Sequence, residues 1–290
     1  MPRTPILLLL SLVCSSLVLA AEDDDDVTIQ KDVAYLPAER AEKADLYLPG
    51  NRKPEQRSPA VVIIHGGGWT SGDKGAAREI NIGTTLAKNG YVGMSINYAL
   101  ATLRGTEPTW PQNLYDCKTA VRWLRKNADR LQIDVDHIGV IGGSAGGHLA
   151  TMLALTGAET KLDPGNPYGE QSCKVRCAID LYGPVLWFEQ RDLTMFRKKR
   201  SEAPELYRQA SPLSYIDKSD PPILIIHGTA DGTVDLADSK ALDAALEKGN
   251  VKHQLVIVEG GKHSFHLEPP QQDLRPLVLA FLAEHLKPKP

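Results

Sequence analysis

Short apolar runs alternate with amphipathic stretches along this chain. Residues 60–64 are wholly apolar, and residues 138–141, 177–181, 223–226 and 254–258 are equally short and mostly apolar. Runs of this length predict strands covered on both faces, because a sheet with one wet face would alternate. Residues 112–127 instead repeat at helical spacing, with Leu114, Cys117, Val121 and Leu124 on one stripe. Helices are also predicted over 80–89, closed by Gly90, over Ala145–Leu155, over 236–247 and over 271–286, the last begun or interrupted near Pro276. A further strand is expected at 91–98, and Val27–Val33 with 44–48 should open the domain as a hairpin. Strands alternating with helices predict an α/β fold: a mainly parallel sheet with helices on both faces. In such sheets ligands gather at the carboxyl ends of the strands.

Composition narrows the picture. At 290 residues and 42% hydrophobic, with no repeat and no Pro/Ser linker, the chain fits one large α/β domain. A net charge of -3 gives no footprint for nucleic acid, and the run Arg197-Lys-Lys-Arg200 reads as a solvated face. Residues 1–20 read as an export signal: Arg3 at the positive start, an apolar stretch from Ile6 to Leu19, and small residues at Ala20 and Ala21 for cleavage. Ser11, Ser15 and Ser16 interrupt that stretch, so no stable membrane insertion is expected. Cys14 offers a lipoprotein alternative, opposed by the bulk of Val13 before it. Residues 21–43 would hold an acidic segment, Asp23 to Asp26, and the first strand; residues 44–290 would form the catalytic domain. Export permits disulfides, and Cys173 and Cys177 are close enough in sequence to pair across a loop, while Cys117 reads as a small buried hydrophobe. No Cys/His cluster has metal-site spacing, and no metal or cofactor is expected.

The candidate chemistry sits where strands end. Gly142-Gly-Ser-Ala-Gly146 lies between a strand and a helix, and a serine there must occupy a sharp, strained turn that exposes its hydroxyl. Phosphate-binding glycine loops do not fit: Ser144 stands at the second glycine of Gly-x-Gly-x-x-Gly, and no Gly-Lys-Ser/Thr follows. The run 60–64 leads into His65-Gly-Gly-Gly-Trp69. Bare N–H groups of Gly67 and Gly68, with that of Ala145, would form an oxyanion hole for a tetrahedral intermediate. Residues 223–226 lead into His227-Gly-Thr-Ala-Asp231, and 254–258 into Glu259-Gly-Gly-Lys-His263. A serine hydroxyl needs a base, and the base needs an acceptor to fix its tautomer. His263 is the expected base and Asp231 its acceptor; His266 and Asp235 are the alternatives.

These residues resemble the α/β-hydrolase superfamily, near its hormone-sensitive-lipase-like and BD-FAE-type (feruloyl esterase-like) serine esterases. The likeness is carried by His65-Gly-Gly-Gly-Trp69, Asp116-Cys-Lys-Thr-Ala-Val-Arg-Trp-Leu124, Gly142-Gly-Ser-Ala-Gly-Gly-His148, Asp180-Leu-Tyr-Gly-Pro184, His227-Gly-Thr-Ala-Asp231 and Gly260-Gly-Lys-His263-Ser-Phe265. It implies the α/β-hydrolase fold, with Ser144 as nucleophile, Asp231 as acid, His263 as base, and no cofactor. Asp235 stands where many relatives have proline, which places a second carboxylate near the acid. The fold commonly inserts a cap at 185–220; here it is short and charged, with Trp187, Phe188 and Phe196 but no long apolar lid helix. That favours small, soluble acyl groups over a lipid interface. Trp69, Tyr182 and Trp187 are the expected pocket residues. The substrate implied is a small-molecule or polysaccharide ester, acetyl or feruloyl. Lipase-like, prolyl-peptidase-type and arylformamidase-type hydrolases, and a non-catalytic binding protein of the same fold, are the rival readings.

Overall fold

The computed structural model describes residues 27–286 apart from 51, 54, 103, 158, 159 and 164. The expected export signal and the acidic run to Asp26 lie outside the described residues. Each apolar run becomes a strand: β3 (Ser58–Ile64), β4 (Val92–Ile96), β5 (Ile133–Gly143), β6 (Ala178–Leu181), β7 (Ile223–Gly228) and β8 (His253–Val258), after the opening pair β1 (Val27–Val33) and β2 (Ala44–Pro49). The sheet order is β1-β2-β4-β3-β5-β6-β7-β8. β1 and β2 form the expected antiparallel pair, β2 is antiparallel to β4, and every other pairing is parallel.

Side chains of β3 alternate between two apolar layers. Ala60, Val62 and Ile64 face Leu114, Val121 and Leu124 of α2 (Gln112–Lys126) and Leu149 of α4 (Ala145–Leu155), after the short α3 (Ala128–Leu131). Val61 and Ile63 face Ile82 and Leu86 of α1 (Ala77–Lys88), and Val278 and Leu282 of α8 (Arg275–Leu286). Burying one such side chain is worth about 1.5–3 kcal/mol, so two covered faces fix the register of the central strands. The segment 185–220 is built from small pieces: α5 (Trp187–Gln190), a 3-10 turn at Thr194–Phe196, α6 (Pro204–Ala210) and another 3-10 turn at Pro212–Ser214. α7 (Leu236–Lys248) follows β7.

Some element ends depart from expectation. β5 starts five residues early, because Ser58 pairs with Ile133 across a register shift despite the polar Asp134, Asp136 and His137. α1 starts at Ala77, three residues early. α8 begins near Pro276, as one of the two expected readings had it, with the proline in its first turn where a missing N–H costs nothing. The Cys173–Cys177 disulfide is not formed. Both thiols are free and buried; Cys173 Sγ lies 3.4 Å from Asp163 Oδ2, and Cys177 packs into the core beside Gly139. Cys117 is a buried hydrophobe, as expected. Among the described residues no helix is long and apolar enough to cross a membrane.

Candidate active site

Strand order reverses around β3, which lies between β4 and β5. The carboxyl ends of β3 and β5 are therefore adjacent, and the loops beginning at His65 and Gly142 meet there. Ser144 takes φ 57° and ψ -124°, a left-handed conformation for a non-glycine residue. The turn closes so tightly that a Cβ on Gly142 would lie 2.1 Å from the Gly146 carbonyl oxygen, and one on Gly146 would lie 2.1 Å from that of Ile64. Both positions require glycine. Ser144 N–H donates to the Leu181 carbonyl at 2.9 Å, and the Ser144 carbonyl accepts from His148 N at 3.1 Å, so the strained residue is anchored on both sides.

The other two strand ends bring the partners. His263 Nε2 is 3.0 Å from Ser144 Oγ, and His263 Nδ1 is 2.6 Å from Asp231 Oδ2. Asp231 Oδ1 accepts from the N–H groups of Thr233 and Val234 at 2.8 and 3.0 Å, and the carboxylate is 1% exposed. The loops are stitched together: Ala230 N–H donates to the Gly261 carbonyl at 2.9 Å, and Gly260 N–H to Thr229 Oγ1 at 2.8 Å. His227 packs beneath, its Nε2 donating to the Val234 carbonyl at 3.0 Å, and burial lowers its pKa. Asp235 instead caps α7, accepting from Ala237 N at 2.8 Å, and His266 Nδ1 accepts from Glu268 N. The structure thus brings Ser144, His263 and Asp231 into one line and leaves Asp235 and His266 outside it.

The glycine loop turns at Gly67 (φ 109°) and Gly68 (φ 60°), and the Gly67 carbonyl accepts from Thr70 and Ser71 N–H at 3.1 Å. Among the described residues nothing accepts from the N–H groups of Gly67, Gly68 or Ala145. Gly66 comes nearest to Ser144: a Cβ there would lie 3.1 Å from the serine Cβ. His65 shapes the loop from below. It donates from Nδ1 to the Gly66 carbonyl at 2.7 Å and stacks on Tyr98 at 4.4 Å; burial lowers its pKa to about 4, so it is neutral.

Beside Ser144 is a cavity of about 380 Å³, lined by the glycine loop, His263, Ser264, Thr233, Asp73, Arg78 and Glu79. The expected aromatics do not form its wall. Trp69 is 1% exposed and packs edge-on against His148 and Phe188. Tyr182 is fully buried under His263, with ring centroids 4.9 Å apart. Trp187 is half-buried, covered by the Arg191 guanidinium 4.0 Å from its ring. The chain turns at positive φ at both Trp69 (59°) and Tyr182 (47°), and both rings end in the interior. Arg78 and Glu79 were not foreseen. Two adjacent charges at a helix start carry the pattern of a solvated turn, and no periodicity marks them as buried.

A family model described as BD-FAE matches residues 44–246. Esterase LipQ of Mycobacterium tuberculosis is 29% identical over 247 residues, covering 81% of this chain and 57% of LipQ. The chain therefore spans little more than half of that relative's length. Ethyl acetate hydrolase of Pseudomonas putida is 29% identical, covering 76% of this chain and 70% of that protein. Among solved structures, a truncated carbohydrate esterase from gut microbiota superposes with a TM-score of 0.79 at 27% identity, covering 91% of this chain and 99% of that one. A butyrate-bound esterase, Est2 of Thermogutta terrifontis, gives 0.74 at 27% identity, covering 91% and 97%. The fold is that of the α/β-hydrolases.

Proposed function

The chain belongs to the BD-FAE family, and from that premise we propose that it is an exported serine carboxylesterase acting on short-chain or carbohydrate-linked esters through an acyl-enzyme. The observation that carries the reading is the unbroken line from Ser144 Oγ through His263 to Asp231, at the wall of the cavity. Ser144 Oγ attacks the ester carbonyl as His263 Nε2 takes its proton, and the imidazolium is balanced by Asp231. The new oxyanion is received by N–H groups of the glycine loop and Ala145, which have no partner of their own among the described residues. His263 returns the proton to the leaving alcohol. Water then enters, gives its proton to His263, and releases the acid as Ser144 regains its own.

The polar side chains of Asp73, Thr233 and Ser264 at the cavity support an alcohol that carries hydroxyl groups, while Arg78 and Glu79 are held by each other and by Tyr182. The likeness to a carbohydrate esterase and to a butyrate-bound esterase agrees with acetyl and other short acyl groups on sugars, with feruloyl esters as the larger candidates. Export rests on Arg3, the apolar stretch after it, and the small residues at Ala20 and Ala21.

The test is hydrolysis of p-nitrophenyl acetate, butyrate and longer esters, and of acetylated and feruloylated oligosaccharides, by the chain and by Ser144→Ala. Rates should fall with acyl length and vanish in the variant. Equal rates in the two proteins defeat the mechanism, and a preference for long chains defeats the short-acyl assignment. Export is checked by the N-terminal sequence of protein recovered outside the cytoplasm, which should begin near Ala21; a retained Met1 would exclude cleavage there.

A further inference from the structure

Arg78 lies against the serine turn and the glycine loop and reaches the His263 loop through Tyr182. Its guanidinium is 11% exposed and is neutralised by Glu79, itself 2% exposed, through bonds from Nε and Nη2 to Glu79 Oε1. The space a Cβ would need on Gly143 is already filled by Arg78 Nη1, 2.4 Å away; one on Gly66 would lie 3.4 Å from Nη2. The guanidinium thus wedges between the serine turn and the glycine loop. This also accounts for a glycine directly before Ser144, a position that the turn itself leaves open.

The third contact runs through a tyrosine. Arg78 Nη1 donates to Tyr182 Oη at 3.1 Å, and Tyr182 Oη donates to the Phe265 carbonyl at 2.5 Å, two residues past His263. The Tyr182 ring meets the His263 ring edge-on at 4.9 Å and that of Phe265 at 4.6 Å. One turn along α1, Asn81 holds the same loop: its Oδ1 accepts from Leu267 N at 3.2 Å, and its Nδ2 donates to Glu268 Oε2 at 2.7 Å. Ser264, between His263 and the first of these anchors, sits at φ 65° and needs such restraint to persist.

We infer that Arg78 is a positioning residue, whose buried guanidinium sets the serine turn and the glycine loop and, through Tyr182, holds the His263 loop in hydrogen-bonding reach of Ser144. The inference rests on the esterase reading only for its kinetic consequence. Displacing a base by an ångström costs about a hundredfold in rate, while substrate affinity need not change. Arg78 therefore acts on kcat and leaves KM nearly alone.

Arg78→Ala strands Glu79 as an unpaired buried charge and risks the fold. Tyr182→Phe keeps the Arg78–Glu79 pair and the ring but removes the link to the loop, and Arg78→Lys keeps the charge but loses the planar fork. Both should lower kcat by about tenfold to a hundredfold with KM within about threefold. Both should also speed amide hydrogen exchange across residues 260–268 relative to the rest of the protein. Added guanidinium ion should restore kcat in Arg78→Ala, and ammonium should not. An unchanged kcat, or a raised KM at constant kcat, overturns the inference. If the wild-type chain hydrolyses no ester, the esterase reading falls by itself; exchange across 260–268 then decides the positioning role, and unaltered exchange in Tyr182→Phe overturns it.

Discussion

Replacing Asp231 by asparagine should disable the site, and replacing Asp235 should not. The direction follows from which way the new amide must face. Asp231 Oδ1 accepts from two backbone N–H groups, those of Thr233 and Val234. In Asp231→Asn the amide oxygen keeps that place, because the amide NH2 there would oppose two close donors, whereas the other oxygen faces only His227 Nε2 at 3.3 Å, whose proton goes to the Val234 carbonyl. Two such lost bonds cost about 2 kcal/mol together at the low end, so the reversed amide is held to a few per cent. The NH2 then takes the place of Oδ2 and donates to His263 Nδ1. The imidazole must carry its proton on Nε2, the nitrogen 3.0 Å from Ser144 Oγ, where it cannot accept one. The loss in kcat/KM lies between about thirtyfold, set by the reversed amide alone, and about 10⁴-fold, since the imidazolium also loses its counter-charge.

Asp235 is exposed and accepts from Ala237 N–H, so Asp235→Asn should retain both the cap and the activity. Asp235→Ala should cost about 1 kcal/mol of stability with kcat/KM within about twofold. The assay is steady-state hydrolysis of p-nitrophenyl acetate, with urea unfolding on the same samples. Near-wild-type activity in Asp231→Asn, or equal damage from Asp235→Asn, would refute the assignment of the acid.

Two further outcomes follow from buried groups elsewhere. Burial lowers the pKa of His65 and of His148 from 6.5 to about 4, so each contributes stability above pH 6.5 that is lost as pH falls toward about 4; burial raises Asp180 from 3.8 to about 7, which has the opposite sign and stabilises as pH falls across that range. Urea midpoints should therefore fall from pH 6.5 to 4, more steeply in Asp180→Asn, and an unchanged slope in that variant would contradict the assignment. Thiol titration of the chain lacking residues 1–20 should find Cys117, Cys173 and Cys177 all reduced, reacting only on unfolding; one thiol in unfolded, unreduced protein would show a disulfide.

The parts legible in the sequence are those in which local pattern and tertiary setting agree. β3 and β7 are buried along their whole length, and most of each, 60–64 and 223–226, reads as an unbroken apolar run. α4 was bounded correctly at both ends because the serine turn fixes its start and its apolar stretch stops at Thr156. The meeting of Ser144, His263 and Asp231 was legible because each follows a strand, and parallel strands deliver their ends to one edge. The early part of β5 was not, since Asp134 and Asp136 lie in the irregular stretch between the Ser58–Ile133 and Ala60–Ile138 pairs and belong to the strand through a partner some 75 residues earlier rather than through their own character. Trp69 and Tyr182 were misplaced for a related reason. Large aromatics just past strand ends suit a pocket wall, but at both positions the backbone turns at positive φ and the rings pack inside.

Arg78 marks where pattern reading stops. Its burial depends on Gly143, Gly66 and Tyr182 in space, none within ten residues of it in sequence. The sequence does carry one trace of it, at Gly143. Closing the serine turn uses Gly142 and Gly146, whose absent side chains make room for backbone atoms. Gly143 makes room for a side chain instead. A glycine that the turn geometry leaves unexplained therefore points to whatever fills the space beside it, and here that is the guanidinium facing the cavity.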